Sequence, residues 1–169
     1  MTHDNALIVC HNQALKSLWV IIMLEIQGEC ELEANREKIW PLLFDPETLI
    51  TLIPGCLTLE EVEQGYYRGQ IHIGIAGIGG TYDTSVRVVE TNPPEYCLFS
   101  GEVIGKSGLI TGKAEINLIE LNSTCRIKYQ VSGIITGALS KFNSRYVENI
   151  AQSFIKLGLS RLDQKIVSP

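Results

Sequence analysis

Thr124-Cys-Arg-Ile-Lys-Tyr-Gln-Val131, followed closely by the spaced apolar set Leu139, Phe142, Tyr146, Ile150, Phe154 and Leu157, decides the fold of this 169-residue chain. In the first part Cys125, Ile127, Tyr129 and Val131 alternate with Arg126, Lys128 and Gln130. That period of two is the mark of a half-buried strand. From Ala138 the apolar residues recur at spacings of three and four, the period of a helix with one apolar face. Lys141, Arg145, Glu148, Gln152 and Lys156 fill the opposite face, and no proline interrupts before Pro169. A helix of about 25–28 residues would be about 40 Å long, enough to cross a whole domain.

Upstream of this junction the chain reads as strands joined by turn chemistry. Strands are predicted at 56–62, 66–76, 81–91, 95–104, 108–121 and 124–135, with Pro93-Pro94, Gly105-Lys-Ser-Gly108 and Asn122-Ser123 between the later ones. Before them, Leu24, Ile26, Gly28, Cys30 and Leu32 alternate with Glu25, Gln27, Glu29 and Glu31, giving a first strand at 24–32. Two short helices follow. One covers 35–43 and is cut by Pro41. The other starts at Asp45 as N-cap with Pro46 at the first helical position, and stops at Ile53-Pro54-Gly55. Short links between consecutive strands give an antiparallel meander. The fold class is α+β: a curved antiparallel sheet of about seven strands around one long C-terminal helix, with two short helices after strand 1.

Residues 1–22 differ from the rest. The apolar run Leu18–Leu24 is far shorter than the ~20 residues that span a bilayer. Lys16 is the only basic residue before it, and Glu25 stands where a signal peptide needs small residues. The expectation is an N-terminal extension over 1–22, disordered or added by an upstream start, and a domain over 23–169 whose natural first residue is Met23.

Composition narrows the function. Hydrophobic residues make up 45% and charged residues 20%, which is globular and not disordered. A net charge of −5 without a Lys/Arg block argues against nucleic acid and against a polybasic membrane patch. Five cysteines with no CxxC argue against a disulfide framework or a zinc site and fit a reducing, cytoplasmic compartment. Gly101-Glu-Val-Ile-Gly105-Lys-Ser107 has three residues where a phosphate-binding loop needs four, and it reads as a hairpin turn. The glycines from Gly74 to Gly80 read as a strand bend and hairpin. His72 falls on a polar face with Arg68 and Gln70, and Asp45 and Glu47 suit a helix start. No catalytic constellation, metal site or cofactor is expected.

What remains is a pocket. A helix laid across a curved sheet rarely fills all the space, and the gap suits a ligand. Tyr67, Tyr82, Tyr96 and Tyr146 are expected to point inward, as core aromatics or as cavity lining. The expected lining is Tyr67, Ile71, Ile73, Tyr82, Leu98, Ile110 and Ala114 on the sheet, with Leu139, Phe142 and Tyr146 closing it from the helix.

Trp40-Pro-Leu-Leu-Phe-Asp-Pro-Glu47, then Ile53-Pro-Gly-Cys56 and Leu59-Glu60, resemble the carbon monoxide dehydrogenase CoxG family, a START-like (SRPBCC, Bet v 1-like) branch. Ile73-Gly74, Gly80-Thr-Tyr82, Pro94-Glu-Tyr96, Thr124–Tyr129 and Gly137-Ala-Leu139 add to the resemblance, which covers about residues 24–166. It implies a helix-grip fold with an apolar cavity and no catalytic residues. It also implies an association with molybdenum-containing dehydrogenases, as a recruitment factor or as a carrier of a quinone-like acceptor. Three functions follow as expectations. The first is non-catalytic binding of an apolar or lipid-like molecule of quinone, isoprenoid or fatty acyl type. The second is docking on a partner dehydrogenase, at most with transient contact at the inner face of the membrane. The third and weakest is a cyclase or hydrolase.

Overall fold

The structure, a computed structural model, describes residues 21–75 and 79–168. Strand β1 (Ile22–Leu32) leads into helix α1 (Arg36–Ile39), a 3-10 turn (Trp40–Leu43) and helix α2 (Pro46–Leu52). Six strands follow: β2 (Cys56–Glu63), β3 (Tyr66–Ile73), β4 (Gly80–Asn92), β5 (Tyr96–Gly105), β6 (Gly108–Leu121) and β7 (Thr124–Thr136). A 3-10 turn (Gly137–Lys141) and the long helix α3 (Ser144–Val167) end the chain. The sheet order is β1-β7-β6-β5-β4-β3-β2, antiparallel throughout. The meander is as expected, and β1 closes it by pairing with the last strand, from Ile22↔Ile135 to Leu32↔Cys125.

Most of residues 1–22 lie outside the described residues, as do Ala76, Gly77 and Ile78 in the glycine-rich bend. Of the stretch expected to be an extension, Ile22 is a strand residue, paired and buried.

Local chemistry fixes the short helices. Asn35 caps α1 by accepting from the Lys38 amide at 3.1 Å, and Pro41 sits near the start of the 3-10 turn Trp40–Leu43, where its missing N–H costs little. Asp45 caps α2, accepting from the backbone amide of Thr48 at 2.9 Å and from its hydroxyl. Those bonds, the hydroxyl's first, hold the Asp45 carboxyl below the ordinary carboxylate range. A carboxyl lowered by folding stabilises the fold above its unfolded titration range and loses that contribution as pH falls through the lowered one. We therefore expect Asp45→Ala to cost about 1 kcal/mol at neutral pH in urea unfolding. The gap to wild type should close on acidification below the carboxylate range, whereas a gap independent of pH would show that the charge plays no part.

The long helix starts later than its periodicity suggests. Leu139 and Phe142 have helical spacing, but Leu139 belongs to the 3-10 turn and Phe142 is extended (φ −73, ψ 156). Asn143 then caps α3, its side chain accepting from the Arg145 amide at 2.9 Å. A spacing of three satisfies a 3-10 turn as well as an α-helix, so apolar periodicity runs through the break unchanged.

The buried residues form two clusters. Leu32, Ile39, Leu52, Cys97, Leu118, Cys125, Ile127, Leu162 and Ile166 pack together where α1, α2 and the C-terminal end of α3 meet the sheet. Ile22, Ile73, Tyr82, Ile135 and Leu139 form a second cluster beside the 3-10 turn before α3. Leu162 and Ile166 are the buried residues of α3, and no residue from Ser144 to Arg161 is fully buried. The helix is seated at its C-terminal end and stands off the sheet along most of its length.

Candidate functional site

Two cavities lie end to end beneath α3. The first, about 310 Å³, lies between β1, β6 and β7 and the stretch from Leu139 to Ile155, which runs from the 3-10 turn into α3. Ile73, Ile110, Ile135, Val147 and Ile150 are among its lining. The second, about 330 Å³, continues under the helix from Phe154 to Leu162, with Leu52, Ile53 and Pro54 from the α2 end as one wall. Val131, Phe154 and Ile155 line both and mark the junction.

Backbone glycines help to make the room. Gly101, Gly112 and Gly133 pair side by side across β5, β6 and β7. A Cβ on Gly112 would meet the Ser132 carbonyl at 2.8 Å, so the strands approach one another there more closely than a side chain allows.

Seven of the ten expected lining residues are in these walls. Ile73, Ile110, Leu139, Phe142 and Tyr146 line the first cavity, and Ile71 and Ala114 the second. Tyr67 and Tyr82 point inward but are core side chains, 2% and 3% exposed. The Tyr67 hydroxyl donates to the Phe44 carbonyl at 2.8 Å, so it ties β3 to the 3-10 turn. Leu98 is a correction. It pairs with Glu115 and Glu90 on the outer face, while Cys97 and Phe99 point inward. Tyr96, paired with Asn117 and Asn92, shares that outer face. Tyr96, Cys97, Leu98 and Phe99 are apolar on both faces, so alternation alone does not say which set is inside.

Sequence reasoning missed Tyr129 and Phe154 as lining. Both signals were present, since Tyr129 is on the inward face of β7 and Phe154 on the apolar face of the helix. The Tyr129 ring lies across Gly28 of the neighbouring strand, where a Cβ would stand 2.3 Å from the phenol oxygen. Burial pushes this phenol up from its ordinary range.

The walls carry no Asp, Glu, His, Lys, Arg or Cys side chain among the described lining residues. Burial pushes the nearby thiols up, Cys97 to about 12 and Cys125 to about 11, which disfavours the reactive thiolate. His72 is exposed, and among the described residues no group of three His, Cys, Asp or Glu side chains could hold a metal. This arrangement can enclose an apolar molecule and offers little acid–base chemistry.

The model of the CoxG family, named for the CoxG subunit of carbon monoxide dehydrogenase, matches residues 28–167. The chain belongs to this family. No curated protein matches the sequence. Among solved structures, a conserved protein from Geobacillus kaustophilus is 26% identical to this CoxG-family chain, with a TM-score of 0.81 over 85% of this chain and 95% of that one. A protein from Chromobacterium violaceum is 18% identical, with a TM-score of 0.58 over 83% and 95%. The di-domain ARO/CYC protein StfQ of the steffimycin biosynthetic pathway is 10% identical, with a TM-score of 0.61 over 95% of this chain and 60% of that one. The last two likenesses are of fold alone. The fold is the helix-grip arrangement that the CoxG resemblance implies.

Proposed function

We propose that this CoxG-family protein binds an apolar or lipid-like small molecule, of quinone, isoprenoid or fatty acyl type, in the cavities under α3 without transforming it. One observation carries this reading. The helix face from Val147 to Ile155 is apolar, only partly buried, and stands over open space. Bare hydrocarbon facing a void forfeits both dispersion contacts and the gain from leaving water. A ligand in that space supplies both. The absence of two converging titratable groups from the described walls favours binding over turnover.

Docking on a partner enzyme such as a molybdenum-containing dehydrogenase is the second reading. It is favoured by the family's name and by Tyr146, Phe154 and Leu157, which are 47%, 39% and 42% exposed on α3. No helix among the described residues is long and apolar enough to cross a membrane. The cytoplasm, with at most peripheral contact at the inner membrane face, is the location we propose.

Native mass spectrometry of freshly purified protein, with organic extraction, tests the first reading. We expect an apolar molecule to co-purify at near-unit stoichiometry, or the emptied protein to take up a quinone, isoprenoid or fatty acid. Protein that arrives empty and takes up none of these would favour the docking reading instead.

A further inference from the structure

We infer that the two cavities hold one elongated amphiphile lying along α3, with an oxygen of that ligand hydrogen-bonded to the Tyr129 hydroxyl. This rests on the binding reading above and names the ligand's shape and its one polar contact.

The shape follows from the walls. The helix face over the two cavities runs from Tyr146 to Leu162, about 24 Å at the rise of an α-helix. Each cavity alone, at about 310 and 330 Å³, is near the lower limit for a small-molecule site. A compact polycycle needs one wide chamber. Two small chambers meeting at Val131, Phe154 and Ile155 suit a chain that passes from one to the other.

The polar contact follows from a hydroxyl with no partner. The Tyr129 oxygen makes no hydrogen bond among the described residues. It is the one side-chain oxygen or nitrogen in the described walls of the second cavity, whereas Tyr146, the tyrosine of the first, is 47% exposed and has water within reach. The Tyr67 hydroxyl, by contrast, is satisfied by a backbone carbonyl and stays out of the cavities. A partly buried phenol facing a hydrocarbon pocket has few partners there and gains from an acceptor delivered to it. Gly28 holds the ring in place, because any side chain there would displace it.

The test uses the full chain and N-phenyl-1-naphthylamine, a fluorophore that brightens in apolar sites, displaced by a series of straight-chain alcohols from octanol to octadecanol. We expect affinity to climb along the series past the length that fills one cavity. Phe154→Trp, at the junction, should weaken the long alcohols more than octanol. Tyr129→Phe should weaken the alcohols about tenfold, the loss of one hydrogen bond worth ~1.4 kcal/mol. Octylbenzene, which has no oxygen, separates a lost hydrogen bond from lost shape, since a purely structural role for Tyr129 would weaken both classes alike. Equal loss for both classes, unchanged alcohol affinity in Tyr129→Phe, or an affinity that levels off at the shortest chains would overturn the inference while leaving the binding reading intact. Failure of the wild-type chain to take up the fluorophore or any alcohol would overturn both.

Discussion

Leu162→Ala is expected to lower stability by about 2–5 kcal/mol, the cost of emptying a buried leucine site whose walls collapse only partly. Leu162 is 2% exposed, and with Ile166 it seats the helix that otherwise stands off the sheet. The new void opens beside the second cavity, which Leu162 already lines, and its neighbours Leu43, Leu52 and Ile127 are held by the sheet and the short helices. Partial collapse is therefore the expected response. For a domain of this size the melting temperature should fall by roughly 10 °C. Leu157→Ala is the control, because Leu157 is 42% exposed on the same helix and should cost well under half as much. Thermal and urea unfolding of the two variants decide the matter. Similar losses for both would mean that α3 is not seated through its C-terminal end.

Ala114→Phe is expected to move stability and ligand uptake in opposite directions. Ala114 is on the inward face of β6, between Phe99 and Val131, and lines the second cavity. An aromatic ring there enters space that is open, so it adds contacts without forcing its neighbours aside. Cavity filling commonly adds about 0.5–2 kcal/mol to a natural protein, and the recurrent cost is function. We expect a raised melting temperature together with at least a tenfold loss, roughly 1.4 kcal/mol, in uptake of the apolar molecule that the wild-type chain binds. Calorimetry and the fluorophore assay read the two effects on one sample. A stabilised variant with undiminished uptake would move the binding site out of the second cavity. The larger residue at Phe142, Phe142→Trp, is a weaker block, since Phe142 stacks on Tyr146 at one end of the first cavity, with ring centroids 6.2 Å apart.

Family membership and ligand class stand at different depths. The match over residues 28–167 and the fold agree on a helix-grip protein. The pocket walls then narrow the proposed ligand by chemistry: long, apolar, and carrying an oxygen.

Much of this architecture was legible in the residues themselves. Strands β1 and β7 alternate cleanly because one face of each meets the core and the other meets water, and their charged residues are confined to the outer face. Asp45-Pro46 and Asn122-Ser123 are local chemistry, acting over three or four residues, and each is where the sequence puts it. The inward direction of Ile71, Ile73, Ile110 and Ala114 followed from the same alternation. Three matters needed the tertiary structure. Tyr96–Phe99 is apolar on both faces, so only pairing with β4 and β6 sends Cys97 inward and Leu98 outward. Helical spacing from Leu139 to Leu157 says that this face is apolar, not how far it stands from the sheet. That distance is set by Leu162 and Ile166 packing against α1, α2 and the far end of the sheet. The tyrosines, alike in sequence, were sorted by distant partners: Phe44 offers a carbonyl to Tyr67, while Gly28 gives Tyr129 a bed and no hydrogen bond. Local periods determined the elements and their faces because they depend on neighbours in the chain. The cavities and the placement of the Tyr129 hydroxyl in the second of them were decided by contacts between residues far apart in sequence, which no period records.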